Sequence, residues 1–488
     1  MTVLIIDVGS SSVRALLCSD QAEPIPDAVV SVPHQFVTTP PGASILDMED
    51  LRARIEGCID AILTHPAAAD IRVVGMATFV GNMLGVDEAY EAITPIYSYA
   101  DTRSAEDVAF LRTLTDPASI HQRTGCIIHT AYQPGRLHWL RRTEPELFAR
   151  VATWMDVGTY LYIHWFGSGS CSYSVAAWTG MLNRSDLSWS SLWLRTLEMS
   201  DTKFPHLTDY DDLCRGLTPS YAERWPLLRE VPFCLAVGDG AAANIGSGCV
   251  DEAHIALTVG TTAALRLVSS DILPPVPEGL WDYRVDALYH LMGGATSEGG
   301  NIFHWAQNTL RLDDTAELND QLLGCKPDSH GLTFLPLLAG ERSPGWAADA
   351  TGSIVGLRLG TTSLDILQAA LEGVALRLSL IADQLSGLAR ENAIIIGGGG
   401  ALVASPAWAQ IIANALNRPL HITQDAEITA RGVALLALAA IRACSLSSYP
   451  PAIAYIIEPN PIAAEKFLSA RERQIALYRK LMTEQQEE

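Results

Sequence analysis

One pattern occurs twice in this chain and limits the possible folds more than any other feature. Ile5-Ile6-Asp7-Val8-Gly9-Ser10-Ser11-Ser12 returns in kind as Ala256-Leu257-Thr258-Val259-Gly260-Thr261-Thr262-Ala263. Each copy holds an apolar run, a polar residue two before a glycine, a hydroxyl-rich turn and a second apolar run (Val13 to Leu17; Ala264 to Val268). Short apolar runs bounded by Gly and Ser read as strand, turn, strand. Two such hairpins about half a chain apart point to two domains of related architecture, the alternative being chance likeness between apolar strands. The 488 residues are too many for one core, which agrees with two domains, divided here at 1–246 and 247–488.

The rest of the chain fills in the class. Leu51, Ile55, Ile59 and Leu63 recur every four residues and predict a helix over 50–64. Arg72 to Met76 predicts a buried strand, helical patterns cover 136–165 with a break near Thr143 and Pro145, and Pro274 to Pro277 is a loop. Leu367 to Leu385 predicts a long amphipathic helix. Ala393 to Ile396 predicts a strand running into a four-glycine turn, Gly397 to Gly400. A helix over Trp408 to Leu416 follows the start signal Ser405-Pro406, and Gly432 to Ala443 predicts an almost wholly apolar helix. Strands and helices alternate in both halves, so the fold class is α/β.

Composition excludes several functions. A 48% hydrophobic and 18% charged chain is globular. A net charge of −22 argues against nucleic acid, whose phosphates need clustered cations. An anionic ligand must then be met by a local site. The 9 cysteines are odd in number, form no C-x-x-C pair and lie mostly in apolar stretches, as expected of reduced thiols in a cytoplasmic protein. The start MTVLIIDVGSSS has no basic region and is interrupted by Asp7, unlike a signal peptide. No membrane span is expected.

Several segments could carry chemistry. Gly9 to Ser12 and Gly260 to Thr262 offer backbone N–H groups and hydroxyls in tight turns, which a phosphate chain requires; ordinary hairpin turns are the bland reading. No G-x-x-x-x-G-K-[ST] or strand-linked G-x-G-x-x-G is present, so any nucleotide cradle is of another kind. Asp239 stands between Gly238 and Gly240 at the end of an apolar strand, where it could take a proton from a hydroxyl undergoing phosphorylation or be a plain turn aspartate. Asp7 could orient Mg²⁺ through water or cap its own turn. The glycines from Gly397 to Gly400 could let a flat adenosine lie against bare backbone. Asp101 and Arg103 could grip neighbouring hydroxyls of a polyol or form a surface ion pair.

Together these motifs resemble the FGGY family of carbohydrate kinases from residue 3 to about residue 443. The resemblance rests on IIDVGSSSVRALL at the start, YADTRS at 99–104 and GDGAAANIGSG at 238–248. LTVGTTAALR at 257–266, LPLLAGERSPGW at 335–346 and IIIGGGGALVASPAWAQIIANAL at 394–416 complete it. Within the family the chain is most similar to gluconokinase-type members, through RTGCIIHTAYQPGRLHWL, SYSVAAWTGMLNRSDLSW and GERSPGW. The resemblance implies two actin-like, ribonuclease H-type domains around a cleft, ATP and Mg²⁺ as cofactors, and a small sugar or sugar acid as substrate. It implies Asp239 as catalytic base and, with Asp7, as a magnesium-organising acid. It implies Gly9, Ser10, Ser11, Ser12, Gly260, Thr261 and Thr262 as phosphate hairpins. Gly398, Gly399, Gly400 and Ala401 become the adenosine loop, and Asp101 and Arg103 the sugar pair.

Two segments depart from the family pattern, both where the substrate should lie. Gly81 and Asn82 stand where many relatives carry a large polar residue, and Trp346 to Gly352 lacks the usual proline and arginine. Gluconate leads among acceptors and xylulose or ribulose follow; a sugar acid needs a cation or amide donors, for which His129, Arg136 and Arg342 are candidates. A non-catalytic sensor of the same fold is the alternative from another class. No nucleic-acid or membrane partner is expected, and a homodimer is a candidate assembly. The motifs are split between the halves, so catalysis should require the halves to approach.

Overall fold

The computed structural model describes residues 1–270, 273–312, 315–424 and 427–487. Its frame is two mixed sheets built to one plan. In the first, Thr2–Val8 pairs antiparallel with Ser12–Ser19, which pairs antiparallel with Pro24–Pro33. On its other side Thr2–Val8 runs parallel to Ile71–Thr78, and that strand parallel to the short Val237–Gly238. In the second, His254–Val259 pairs antiparallel with Ala263–Ser269, which pairs antiparallel with His290–Thr296. His254–Val259 also runs parallel to Ile394–Gly398, and that strand parallel to Leu420–Thr423. The sequence repeat is thus a repeat of architecture. The second sheet adds the edge strands Trp281–Arg284 and Ile453–Ile457.

Central strands buried on both faces read as continuous apolar runs, and every residue of Thr2–Val8 is buried. The helix predicted over 50–64 is Met48–Ile62, N-capped by Asp47, whose side chain accepts from Asp50 N. The tract 136–165 is not all helix. Between Pro145–Arg150 and Val157–Phe166 lies the strand Thr153–Met155, paired with Leu84–Val86. Gly85 stands opposite Trp154 and leaves its ring the room a side chain would fill. The four-glycine turn is shorter than expected: Gly397 and Gly398 still belong to the strand, and Gly400 starts a helix.

The helix Ile428–Ala440 crosses the helix Asp239–Gly246 and lies on the first sheet, although it comes late in the chain. The crossing is very close. A Cβ on Gly246 would collide with the Ile428 carbonyl, and one on Gly432 with the Ala242 carbonyl. Glycine at both positions is what lets the backbones meet. No described helix is long and apolar enough to cross a membrane.

Candidate active site

The first hairpin is braced from behind. Gly9 N donates to Ser12 O at 3.0 Å, and His34 holds the turn through its own N–H to Ser11 O (3.0 Å) and its Nε2 to Gly9 O (2.9 Å). Ser10 and Ser11 are left exposed. Register sets Asp7 opposite Arg14, whose Nη2 and Nε donate to Asp7 Oδ2 at 2.6 and 3.1 Å. Arg14 Nη1 reaches on to Glu427 Oε2 at 2.6 Å, tying this hairpin to the start of the crossing helix. Among the described residues Asp7 Oδ1 accepts no hydrogen bond, so one carboxylate oxygen remains for a ligand.

The second hairpin closes in the same way, with Gly260 N donating to Thr262 O at 2.9 Å, and Thr261 and Thr262 exposed. Gly300 N and Asn301 N donate to Gly260 O and Thr261 O at 2.6 and 3.2 Å, so the helix Gly300–Leu310 starts against the turn. The glycine loop joins it from the other side. Gly399 has φ 102° and packs against Val259, and Ala401 sits next to Gly300. Beside them a cavity of about 110 Å³ is lined by Gly300, Phe303, His304, Ala401, Ser405 and Trp408. An apolar slot next to a phosphate-type turn suits a purine ring.

Asp239 is the first residue of Asp239–Gly246, directly after Val237–Gly238, the parallel strand at the edge of the first sheet. Its Oδ1 accepts from Gly240 N at 2.7 Å. Burial raises its carboxyl to about 6 and the like charge of Asp7 adds to this, while the Gly240 N–H and Arg266 oppose it. At neutral pH it is a carboxylate, yet far more basic than an exposed one, as proton abstraction requires.

The wall facing it comes from the second domain. Arg266, on Ala263–Ser269, lies with its Nε near Gly240. Its one hydrogen bond among the described residues is a long one, Nη1 to Thr258 Oγ1 at 3.4 Å, and its Nε is buried without a partner. Burial lowers it to about 10, so it stays a cation. Arg342 is half-buried and makes no ion pair among the described residues; its charge is felt by Arg266, His129, Tyr132 and Tyr283. His129 is held neutral, at about 4, by burial and by Arg342 and Arg112. Its Nδ1 accepts from Ala131 N at 3.1 Å, which leaves the proton on Nε2, and its ring meets Trp346 edge-on at 5.8 Å. Trp178 of the first domain stacks on Tyr283 of the second at 3.7 Å, and Tyr132 and Tyr283 join hydroxyls at 2.7 Å. The halves therefore already touch at this end of the cleft.

Four sequence candidates, Asn82, Asp101, Arg103 and Arg136, have polar groups engaged within the protein. Asn82 is 1% exposed: its Nδ2 donates to Phe79 O, its Oδ1 accepts from Val157 N at 2.9 Å, and its carbonyl accepts from Gln133. Its side chain thus braces the turn from inside, away from solvent. Asp101 is fully buried and its carboxylate is consumed by Arg103 (2.6 Å) and Ser44 N (3.1 Å), while Arg103 stacks over Trp139 at 4.5 Å. The pair is an internal ion pair that braces this turn, with the Asp101 carboxylate engaged inside the protein. Arg136, 0% exposed, donates to the carbonyls of Tyr97, Ser98, Gly81 and Ala131 and pins those turns together. Arg266 is the residue that sequence reading missed; a single arginine in an apolar strand was the available signal. Asp328, His330 and Glu372 also cluster, but His330 Nδ1 accepts from Leu332 N, so Nε2 keeps its proton for Glu372 and is no metal ligand.

Comparison with known proteins agrees with this geometry. Residues 2–246 match the N-terminal domain, and 255–441 the C-terminal domain, of the FGGY family of carbohydrate kinases. The gluconokinase of Bacillus subtilis (strain 168) is 24% identical over 445 residues, covering 89% of this chain and 86% of that protein. The xylulose kinase of Escherichia coli (strain K12) is 26% identical over 442 residues, 88% of each. Solved structures of gluconate kinase and of ligand-bound xylulose kinase, both from Lactobacillus acidophilus, superpose with TM-scores of 0.91 and 0.92 at 23% identity. They cover 98% and 99% of this chain, and each 98% of its own. With a phosphate-type hairpin in each domain, a raised carboxylate between them and both domains matched, the chain belongs to the FGGY family of carbohydrate kinases.

Proposed function

We propose that the protein transfers the γ-phosphoryl group of ATP to a hydroxyl of a sugar acid, with gluconate as the first candidate. The kinase chemistry follows from the family and the cleft. The acceptor rests on one observation: two guanidiniums, Arg266 and Arg342, line the acceptor end of the cleft, and neither makes an ion pair among the described residues. The Asp239 carboxylate acts on Arg266 through its charge, but two guanidiniums face that one carboxylate, and the carboxylate of a sugar acid would balance the second. A neutral pentulose would not.

In this reading the two hairpins hold the triphosphate from opposite sides, and the Gly398–Ala401 loop and its cavity hold adenosine. Asp239 accepts the proton of the attacking hydroxyl as the new O–P bond forms and the bond from Pγ to the bridging oxygen breaks. Asp7 Oδ1 and Asp239 are hard oxygen donors on the same side of the cleft whose like charges repel, a donor set that fits a hydrated Mg²⁺. Bound there, the ion would supply charge neutralisation on the phosphate oxygens. ATP as donor fits the cytoplasmic enzyme expected from the sequence.

Pentulose phosphorylation is the second reading, because xylulose kinases are as similar to this chain as gluconokinases are. One purified sample with Mg-ATP, tested against gluconate, xylulose, ribulose, glycerol and erythritol, separates the two. Gluconate should give the highest kcat/KM, by about tenfold or more, on the scale of one charge-assisted contact. A pentulose ahead of gluconate would overturn the sugar-acid reading.

A further inference from the structure

The matched family domains end at residue 441, but the chain continues into the helix Pro461–Glu487. One residue of that helix reaches underneath the loop that carries Arg342. Tyr478 Oη donates to Glu341 Oε2 at 2.5 Å, and the Arg377 guanidinium lies over the Tyr478 ring at 4.7 Å while pairing with Glu341 Oε1. The Glu341 side chain is 2% exposed. Glu341 also accepts from the N–H groups of Gly345 (3.2 Å) and Ala347 (3.4 Å). One buried carboxylate thus holds the turn from 341 to 347, with Tyr478 fixing one of its oxygens.

That turn presents two groups to the cleft. Arg342 sits one residue after Glu341. Trp346 is held at φ 56° with its Nε1 on Gly279 O at 3.1 Å and its ring against His129. Gly345 has no spare space, since a Cβ there would collide with Tyr478 Oη and Glu341. Around Tyr478, Leu477, Leu481 and Met482 pack on Leu335, Leu337 and Ala350 below the same loop. Without the Tyr478 hydroxyl, Glu341 Oε2 would keep only the long bond to Ala347 N, in a buried place where an under-satisfied carboxylate oxygen is costly. The carboxylate would then shift, and the turn with it.

We propose that Tyr478 is a positioning residue for the acceptor: through Glu341 it fixes the place of Arg342, making the C-terminal helix part of acceptor recognition. This rests on Arg342 being an acceptor contact, as proposed above. The test is a double-mutant cycle with Tyr478→Phe, which keeps the ring over Arg377, and Arg342→Met, assayed on the acceptor that the wild-type protein uses best. Tyr478→Phe should raise the acceptor KM about five- to tenfold with kcat and the ATP KM nearly unchanged, the scale of one lost hydrogen bond. Arg342→Met should raise it further, and the double variant should match Arg342→Met alone, because Tyr478 acts through that side chain. Tyr478→Phe without effect, or effects that multiply, would overturn the role of Tyr478 and leave that of Arg342 standing. Arg342→Met with an unchanged acceptor KM would overturn both.

Discussion

Gly260→Val separates a phosphate cradle from an ordinary turn with little ambiguity. A Cβ at Gly260 meets no heavy atom within 4 Å, and the residue does not use a left-handed φ. The added side chain would therefore point into the cleft and leave the fold alone, with a stability change of about 0.5 kcal/mol or less. Binding should respond very differently. If backbone N–H groups of this turn hold ATP oxygens, the side chain displaces them. Losing two charge-assisted hydrogen bonds at about 1.5 kcal/mol each weakens ATP on the order of a hundredfold. Calorimetric titration with Mg²⁺ and a non-hydrolysable ATP analogue reads the affinity, and thermal unfolding of the same samples reads the fold. Gly399→Ala is the contrasting control. That glycine has φ 102° and its Cβ would press on the Val259 carbonyl, so it should lower Tm before it changes binding. Unchanged ATP affinity in a Gly260→Val protein of unchanged Tm would remove the second hairpin from the nucleotide site.

Arg266→Met should lower kcat/KM for gluconate by about tenfold or more and for xylulose by much less, collapsing any preference between them; an equal loss for both would make Arg266 a structural cation. In the free enzyme, kcat/KM should fall as pH drops below about 6, where Asp239 takes up a proton, and a profile flat down to pH 5 would contradict a base raised to that value. Glu298 titrates the other way in stability. Burial raises it from 4.5 to about 7, so the folded state keeps a proton that the unfolded state has released. Its stabilisation is present below pH 4.5 and lost as pH rises through 7. Glu298→Gln should remove that part of the loss, raising stability at pH 8 relative to wild type on the order of 2 kcal/mol, and identical pH–Tm curves would refute it.

What was legible in the sequence was local. The hairpins, the aspartate between two glycines and the glycine loop each occupy fewer than about ten consecutive residues, and their turn chemistry is written in residue type. What was not legible depends on partners far along the chain. Asn82, Asp101 and Arg136 look like ligands because they are polar residues beside turns. Only the fold shows that carbonyls, N–H groups or an arginine already consume them. Arg266 went unnoticed for the opposite reason, since its facing Asp239 without an ion pair among the described residues is a property of the cleft and not of the strand. The helix Ile428–Ala440 is apolar nearly all round, so its pattern gave no face and could not show that it packs on the first sheet.

The central claim is that Asp239 is the base of a phosphoryl transfer carried out between the two hairpins. Asp239→Asn tests it most directly, because the amide can keep the bond from Gly240 N and the shape of the site while losing the capacity to accept a proton. Rapid-quench measurement of a single turnover with saturating Mg-ATP and the preferred acceptor reads the chemical step itself. The account predicts a rate lowered on the order of a hundredfold or more with ATP affinity nearly unchanged. An Asn variant that transfers the phosphoryl group at close to the wild-type rate would contradict it.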